Sequence, residues 1–356
     1  MSDETGLFIE DLKPGLEVPG GRIDQGLEVT PEAFEARFGR LFWRPEGTLD
    51  PIYFKLAAFC KTTAISENSP ANLGAKNVLF REAPTSLDVE AHTTVLGRKF
   101  RERGATTGVC QVRSTIGDTL TWTRECIVRG RRGWQLPDDG TPLDDREKID
   151  VHFELSQAAL PPAGLTVERP PRALVAEDFR PGEAIPTGRI SVLRPDEIFW
   201  ITRGLGNLAK THYTRDSGYI VWGLLTLLYG VYNYAAQLPC AALLGLDVAR
   251  HVAPVYLTEQ LREEEHATTG APVPPEFLSA TLTPRAVEEI PGRPDLRLVT
   301  AALDVYNNVN AIGCAEYERQ KARKALDAIA EDGRLRIGDY VLRLAVFTAA
   351  ATRARS

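Results

Sequence analysis

Between positions 224 and 238 apolar residues fall on nearly every face of a helical wheel: Leu, Leu, Thr, Leu, Leu, Tyr, Gly, Val, Tyr, Asn, Tyr, Ala, Ala, Gln, Leu. A helix that is apolar all round is buried all round. At 1.5 Å per residue it would run on the order of 22 Å, too short to cross a bilayer and suited to the central rod of a domain. The stretch just before it has the opposite character. Residues 204–219 hold glycine, asparagine, lysine, threonine, arginine and one histidine without an apolar run, and read as a loop. Strand-like runs rich in β-branched and aromatic residues fall at 87–100, 108–116 and 119–129 in the first half. In the second they fall at 257–269, 277–287, 296–306 and 311–317. Thr30-Pro31-Glu32 and Arg194-Pro195-Asp196 are proline-led, acid-bearing helix starts, and 51–63 is a shorter, less apolar candidate helix.

These elements repeat. Glu10-Asp11-Leu12-Lys13-Pro14-Gly15 recurs as Glu177-Asp178-Phe179-Arg180-Pro181-Gly182. Val18-Pro19 with Gly21-Arg22-Ile23 recurs at the same offset as Ile185-Pro186 with Gly188-Arg189-Ile190. Two aligned blocks at one offset point to a duplicated unit. A helix followed by several antiparallel strands in each copy predicts an α+β molecule of two tandem units, each a sheet curled around its helix. Residues 131–171 are rich in proline, glycine and acids and read as the connection, dividing the chain into 1–165 and 166–356. After Arg319 the pattern predicts a helix over 321–330, a break at Asp332-Gly333 and a further apolar run. That tail is expected to pack on the outside of the second unit.

Composition narrows the partners. With 356 residues and 43% hydrophobic content, each of two units can bury a core. A net charge of -6 gives no reason to expect nucleic-acid binding. Neither end carries a basic-then-apolar leader and no apolar run reaches membrane length, so no membrane partner is expected and a cytoplasmic location is the default. The five cysteines are unclustered and read as reduced structural thiols. The five histidines are dispersed, and only Glu263-Glu264-Glu265-His266 crowds ligand types together. Its spacing fits no zinc pattern, and no metal is expected.

Candidate chemistry sits at the loop-to-helix junction. His212 can take or give a proton near neutral pH. Asn207, five positions earlier, can hydrogen-bond but cannot act as a base. Gly223 opens the apolar helix, whose first-turn N–H groups lack helical acceptors, and no side chain there keeps a ligand away. Such an end suits a developing oxyanion. For each residue a structural reading stands beside the chemical one. His212 fits a satisfied loop histidine, Asn207 a cap, Gly223 a packing requirement and Trp222 a pocket wall. Lys210, Arg203 and Arg215 fit solvated charge as well as contacts to a carboxylate or phosphate. No histidine precedes His92, so the first unit holds no equivalent of His212.

Gly206-Asn207-Leu208-Ala209-Lys210-Thr211-His212, followed by Ile220-Val221-Trp222-Gly223-Leu224-Leu225-Thr226, resembles the two hallmarks of MaoC-like (R)-specific enoyl-CoA hydratases, G-D-x-N-P-x-H and V-H-G-x-x-T. Asn207 stands at the usual aspartate, Ala209 at the usual asparagine and Trp222 at the usual histidine. The two-repeat branch that includes mesaconyl-CoA hydratases is more similar, and the resemblance spans roughly residues 7 to 320. It implies a double hot-dog fold and a lyase that reversibly hydrates an α,β-unsaturated acyl thioester, a short branched or dicarboxylic acyl-CoA or a biosynthetic intermediate. By that resemblance His212 is the base, Asn207 fixes the water or the imidazole, and Gly223 marks the oxyanion site. Trp222, Lys210 and Arg203 are the substrate-binding candidates. CoA enters only as part of the substrate, with no separate cofactor, and an acyl carrier thioester is equally compatible. A monomer and a homodimer both fit, and a hot-dog thioesterase or a non-catalytic acyl-binding protein are the alternatives.

Overall fold

The computed structural model describes residues 7–62, 69, 71–100, 106–134, 144–207, 209, 212–214, 219–255, 257, 276–307 and 334–354. The first half runs β1 (Glu17–Arg22), α1 (Pro31–Phe38), α2 (Pro51–Lys61), β2 (Ala71–Phe80), β3 (Glu90–Phe100), β4 (Thr107–Ile116) and β5 (Leu120–Arg129). After β6 (Val167–Arg169) the order recurs as β7 (Ser191–Leu193), α3 (Pro195–Gly204), α4 (Gly223–Tyr232), β8 (Ala241–His251), β9 (Glu276–Glu289), β10 (Leu296–Asn307) and β11 (Leu335–Phe347). A short β12 (Thr352–Ala354) pairs in parallel with β6.

Ten strands form one sheet in the order β1-β3-β4-β5-β2-β8-β11-β10-β9-β7. Read inward from either edge, the order meets equivalent strands of the two copies, so the duplication seen in the sequence is a duplication in space. The halves join where β2 pairs antiparallel with β8. Glycine makes that junction close: a Cβ on Gly245 would lie 2.3 Å from the Val78 carbonyl oxygen. Each half wraps one buried helix, α2 or α4, and this is the double hot-dog fold.

The central helices form for different reasons. In α2, Pro51 occupies the first turn and the Asp50 side chain caps it, accepting from the N–H groups of Ile52 (2.8 Å) and Tyr53 (3.2 Å). In α4 the N-cap is Trp222, with no side-chain cap, and its stability comes from burial of residues 224–231 against β9, β10 and β11. Gly230 allows the closest approach, since a Cβ there would sit 2.5 Å from Val305 Cγ2. The core is shared, with Phe59 and Trp122 of the first half in one apolar cluster with Leu228 and Leu344 of the second.

Several expectations change. The apolar helix ends at Tyr232, short of 238, and the chain continues in turns, with the Tyr234 N–H on the Val231 carbonyl (2.8 Å) and the Ala235 N–H on the Tyr232 carbonyl (3.1 Å). The first-half helix is not the shorter one: α2 has 11 residues and α4 has 10. The apolar run after Gly333 is not an outer tail but β11, inserted between β8 and β10. The strands at 108–116, 119–129, 277–287 and 296–306 are present as β4, β5, β9 and β10, and β3 covers 90–100 of the run expected at 87–100. β2 and β8 went unread as strands. The helix expected at 321–330, the strand at 311–317 and nearly all of 257–269 lie outside the described residues. No helix among the described residues is long and apolar enough to cross a membrane.

Candidate active site

Helix α3 ends at Gly204, and Gly206 adopts φ +85° with its N–H on the Arg203 carbonyl (2.8 Å), a left-handed turn that glycine makes without strain. The turn directs the following residue inward, and Asn207 is buried. Its Oδ1 accepts from the Ala209 N–H (3.2 Å), which leaves Nδ2 as a donor facing His212 Nε2 at 3.3 Å. On the other side of the ring, Nδ1 lies 2.6 Å from the Ile220 carbonyl oxygen, which can only accept. The network therefore assigns the proton to Nδ1 and a lone pair to Nε2. Burial, partly opposed by the Ile220 carbonyl, lowers the His212 pKa below its usual 6.5, so the ring is held neutral as a base.

The chain then runs straight into α4. The Val221 N–H bonds the Val255 carbonyl (2.8 Å), tying this segment to the extension of β8 and bringing Gly223 to the wall of a cavity of about 320 Å³. That cavity is lined by Asn207, His212, Trp222 and Gly223 from the C-terminal half and by Phe59, Asn72 and Arg124 from the N-terminal half. His212 and the uncapped start of α4 thus open onto one space. Its counterpart in the first half, α2, has its first-turn N–H groups taken by Asp50, whose pKa burial pushes up to about 6. Only the second helix presents an end suited to a ligand oxygen.

Of the residues picked out by sequence, the structure brings together Asn207, His212, Trp222 and Gly223. Trp222 is a buried wall, its ring 5.7 Å from Phe59, and its Nε1–H has no hydrogen-bond partner among the described residues. Arg203 is exposed in the last turn of α3 and does not line the cavity. Lys210, Arg215 and the Glu263 to His266 cluster lie outside the described residues. The cysteines at 60, 110, 126 and 240 are buried free thiols.

Two cavity residues were not picked out from the sequence. Arg124, on β5, is 2% exposed; it donates to the Thr62 carbonyl (2.8 Å), its guanidinium lies 4.7 Å from the Phe59 ring centre, and Nε is buried without a partner among the described residues. No carboxylate among the described residues forms an ion pair with it. Lys55 is also buried, 3.4 Å from the Trp122 ring centre. Burial and the adjacent guanidinium push its pKa far below the usual lysine range, favouring a neutral amine. Arg124 stays charged. The second residue is His251, at the end of β8, whose ring covers Gly223: a Cβ there would stand 2.7 Å from its ring atoms. A strand-end histidine carries no local sequence signal, but Arg124 does: it alternates with the apolar Leu120, Trp122, Cys126 and Val128 along β5.

No protein-family model matches the chain, and no curated protein matches its sequence. Among solved structures it is similar to a protein described as a MaoC domain dehydratase from Chloroflexus aurantiacus, with TM-score 0.65 and 17% identity over 98% of this chain and 99% of that one. It is also similar to Rv0216 of Mycobacterium tuberculosis, a double hot-dog protein, with TM-score 0.57 and 15% identity over 96% and 98% of the two chains. A further MaoC-like dehydratase aligns with TM-score 0.51 and 13% identity over 94% and 99%. At these identities the likeness speaks to the fold.

Proposed function

We propose that the cavity adds water reversibly across the double bond of an α,β-unsaturated acyl thioester. The observation that carries this reading is the placement, on the same cavity, of an uncapped helix start and a neutral imidazole whose Nε2 lone pair meets only the long Asn207 Nδ2 contact. Nε2 of His212 takes a proton from water and the oxygen adds at C3. The electron pair moves toward the thioester oxygen, held by first-turn N–H groups of α4, and C2 then gains a proton. One such donor is worth about 3 kcal/mol in a preorganised oxyanion site. Asn207 orients the imidazole, and its 3.3 Å contact is long enough to yield to a water. Trp222 serves as the wall.

The acyl group that fits is short and carries a second carboxylate. Arg124 and Trp222 bring two buried, partnerless donors to one apolar cavity, and a buried cation without a counter-charge is costly. A carboxylate on the acyl chain would satisfy both. A cavity of about 320 Å³ takes a few carbons and leaves the nucleotide of CoA outside.

The test is a panel of unsaturated acyl-CoAs with and without a terminal carboxylate, followed by loss of the conjugated thioester absorbance. Carboxylated members should turn over best, and Arg124→Met should raise their KM about 10- to 100-fold, the worth of a hydrogen bond to a charged group, while sparing uncharged members. Equal effects on both kinds would remove the carboxylate assignment. Release of free thiol from saturated acyl-CoAs, without hydration, would replace the lyase with a thioesterase.

A further inference from the structure

The histidine outside the recognised motifs shares the mouth of α4. Thr226 Oγ1 lies 2.6 Å from the Gly223 carbonyl oxygen, to which it must donate. The close contact between Thr226 and the Tyr340 hydroxyl then uses the tyrosine proton. That leaves the Tyr340 oxygen as the acceptor facing His251 Nδ1 at 3.4 Å. The donors form a chain from His251 through Tyr340 and Thr226 to the Gly223 carbonyl, and the proton of His251 is placed on Nδ1. Nε2, on the far edge of the ring, carries a lone pair, the one hydrogen-bond contact of His251 among the described residues being through Nδ1, and the ring lines the cavity. Two imidazoles therefore open onto one cavity with the same tautomer, His212 from the loop and His251 from against the helix start.

We propose that His251 is a second catalytic base, handling the proton on C2 while His212 handles the oxygen on C3. This rests on the thioester oxygen lying at the first turn of α4. C2 is bonded to the same carbon as that oxygen, so a ring packed on Gly223 is placed beside C2. In the dehydration direction Nε2 of His251 takes the C2 proton, and the C–H electron pair moves into the enolate with charge on the thioester oxygen. The carbonyl then re-forms, the pair becomes the C2–C3 double bond, and the C3–O bond breaks. The leaving hydroxide takes a proton that His212 has first drawn from solvent, and departs as water. Hydration is the reverse: His251 draws its proton from solvent as the enolate develops beside it, gives it to C2, and His212 returns the proton of the attacking water to solvent. Burial lowers the His251 pKa to about 4 and keeps the ring neutral in the empty cavity. An adjacent enolate favours the charged form and reverses that balance as the reaction proceeds. Asn207 cannot ionise, so a second titratable group takes up the share of proton transfer that the asparagine cannot.

The experiment separates the two protons. Glutaryl-CoA and butyryl-CoA have no leaving group at C3, so in D2O the exchange of their C2 hydrogens, read by NMR, reports C2 deprotonation alone. We expect wild type to exchange them and His251→Gln to slow exchange by at least about 100-fold, the usual worth of a general base. His212→Ala should lose hydration of the unsaturated thioester while exchange persists. His251→Phe, which keeps a ring, should match His251→Gln, and unchanged thermal midpoints exclude misfolding. Tyr340 acts through His251 as a positioning residue, so Tyr340→Phe should slow exchange with KM unchanged. Loss of exchange in His212→Ala with its retention in His251→Gln would overturn the proposal, as would hydration by wild type without exchange. Absence of hydration in wild type would instead show that the reading of the whole site had failed.

Discussion

Asn207 and His212 show how far one atom changes a site. With Oδ1 committed to the Ala209 N–H, Asn207 offers only a donor to the imidazole, so burial, opposed only in part by the Ile220 carbonyl, lowers the basicity of the ring. A near-neutral limb is what the histidine alone predicts; the buried ring moves that limb down. The base must be neutral, and a lowered pKa keeps it neutral to lower pH. Hydration should therefore be flat above about pH 6.5 and fall only below it. Asn207→Asp puts a carboxylate against Nε2, raises the imidazole pKa and should shift the acid limb upward, to about pH 7 or above. A limb that stays in place in this variant would detach Asn207 from the imidazole. These two residues were legible in the sequence because five positions of loop keep them adjacent whatever the fold. Arg124 was missed although it carried a signal: alternation along β5 puts it on one face with Leu120, Trp122, Cys126 and Val128, all buried, where a cation is out of place.

At the scale of the element, the difference between α2 and α4 decides which half can hold chemistry. An aspartate cap closes one helix start and a tryptophan leaves the other open. Gly223 is where that opening is narrowest, because the His251 ring lies on it. Gly223→Ala should force the ring and the helix start apart, cost about 1–3 kcal/mol of stability and lower kcat more than it raises KM. Thermal unfolding and steady-state kinetics of one sample read both, and an alanine variant with native kcat would remove the helix start from the mechanism. The start of α4 was readable from glycine before an apolar run, but its end was not, since apolar residues run on to Leu238 while the backbone passes into turns after Tyr232.

Across the whole molecule, the repeat of the Glu10 block at Glu177 gave the duplication, and the sheet order carries it through ten strands. The strands at the centre were the ones missed. β8 and β11 are buried on both faces over most of their length, so they lose the polar-apolar alternation that marks a half-exposed strand, and β11 is separated in sequence from β10 by residues 308–334. Their junction predicts joint unfolding. Because β2 pairs with β8 and Trp122 shares a cluster with Leu344, circular dichroism and tryptophan fluorescence should report one coincident thermal transition. Two separated transitions would mean that the halves stand independently. The shared cavity makes the same point for function, since the base and helix start come from one half and Arg124 from the other.

The most direct measurement is single-turnover hydration of an unsaturated, carboxylate-bearing acyl-CoA at pH 7.5 by wild type and His212→Ala, read as decay of the conjugated thioester absorbance. The account predicts that the variant binds the thioester with wild-type affinity and adds water about 100- to 10,000-fold more slowly. Equal rates in the two proteins would contradict it.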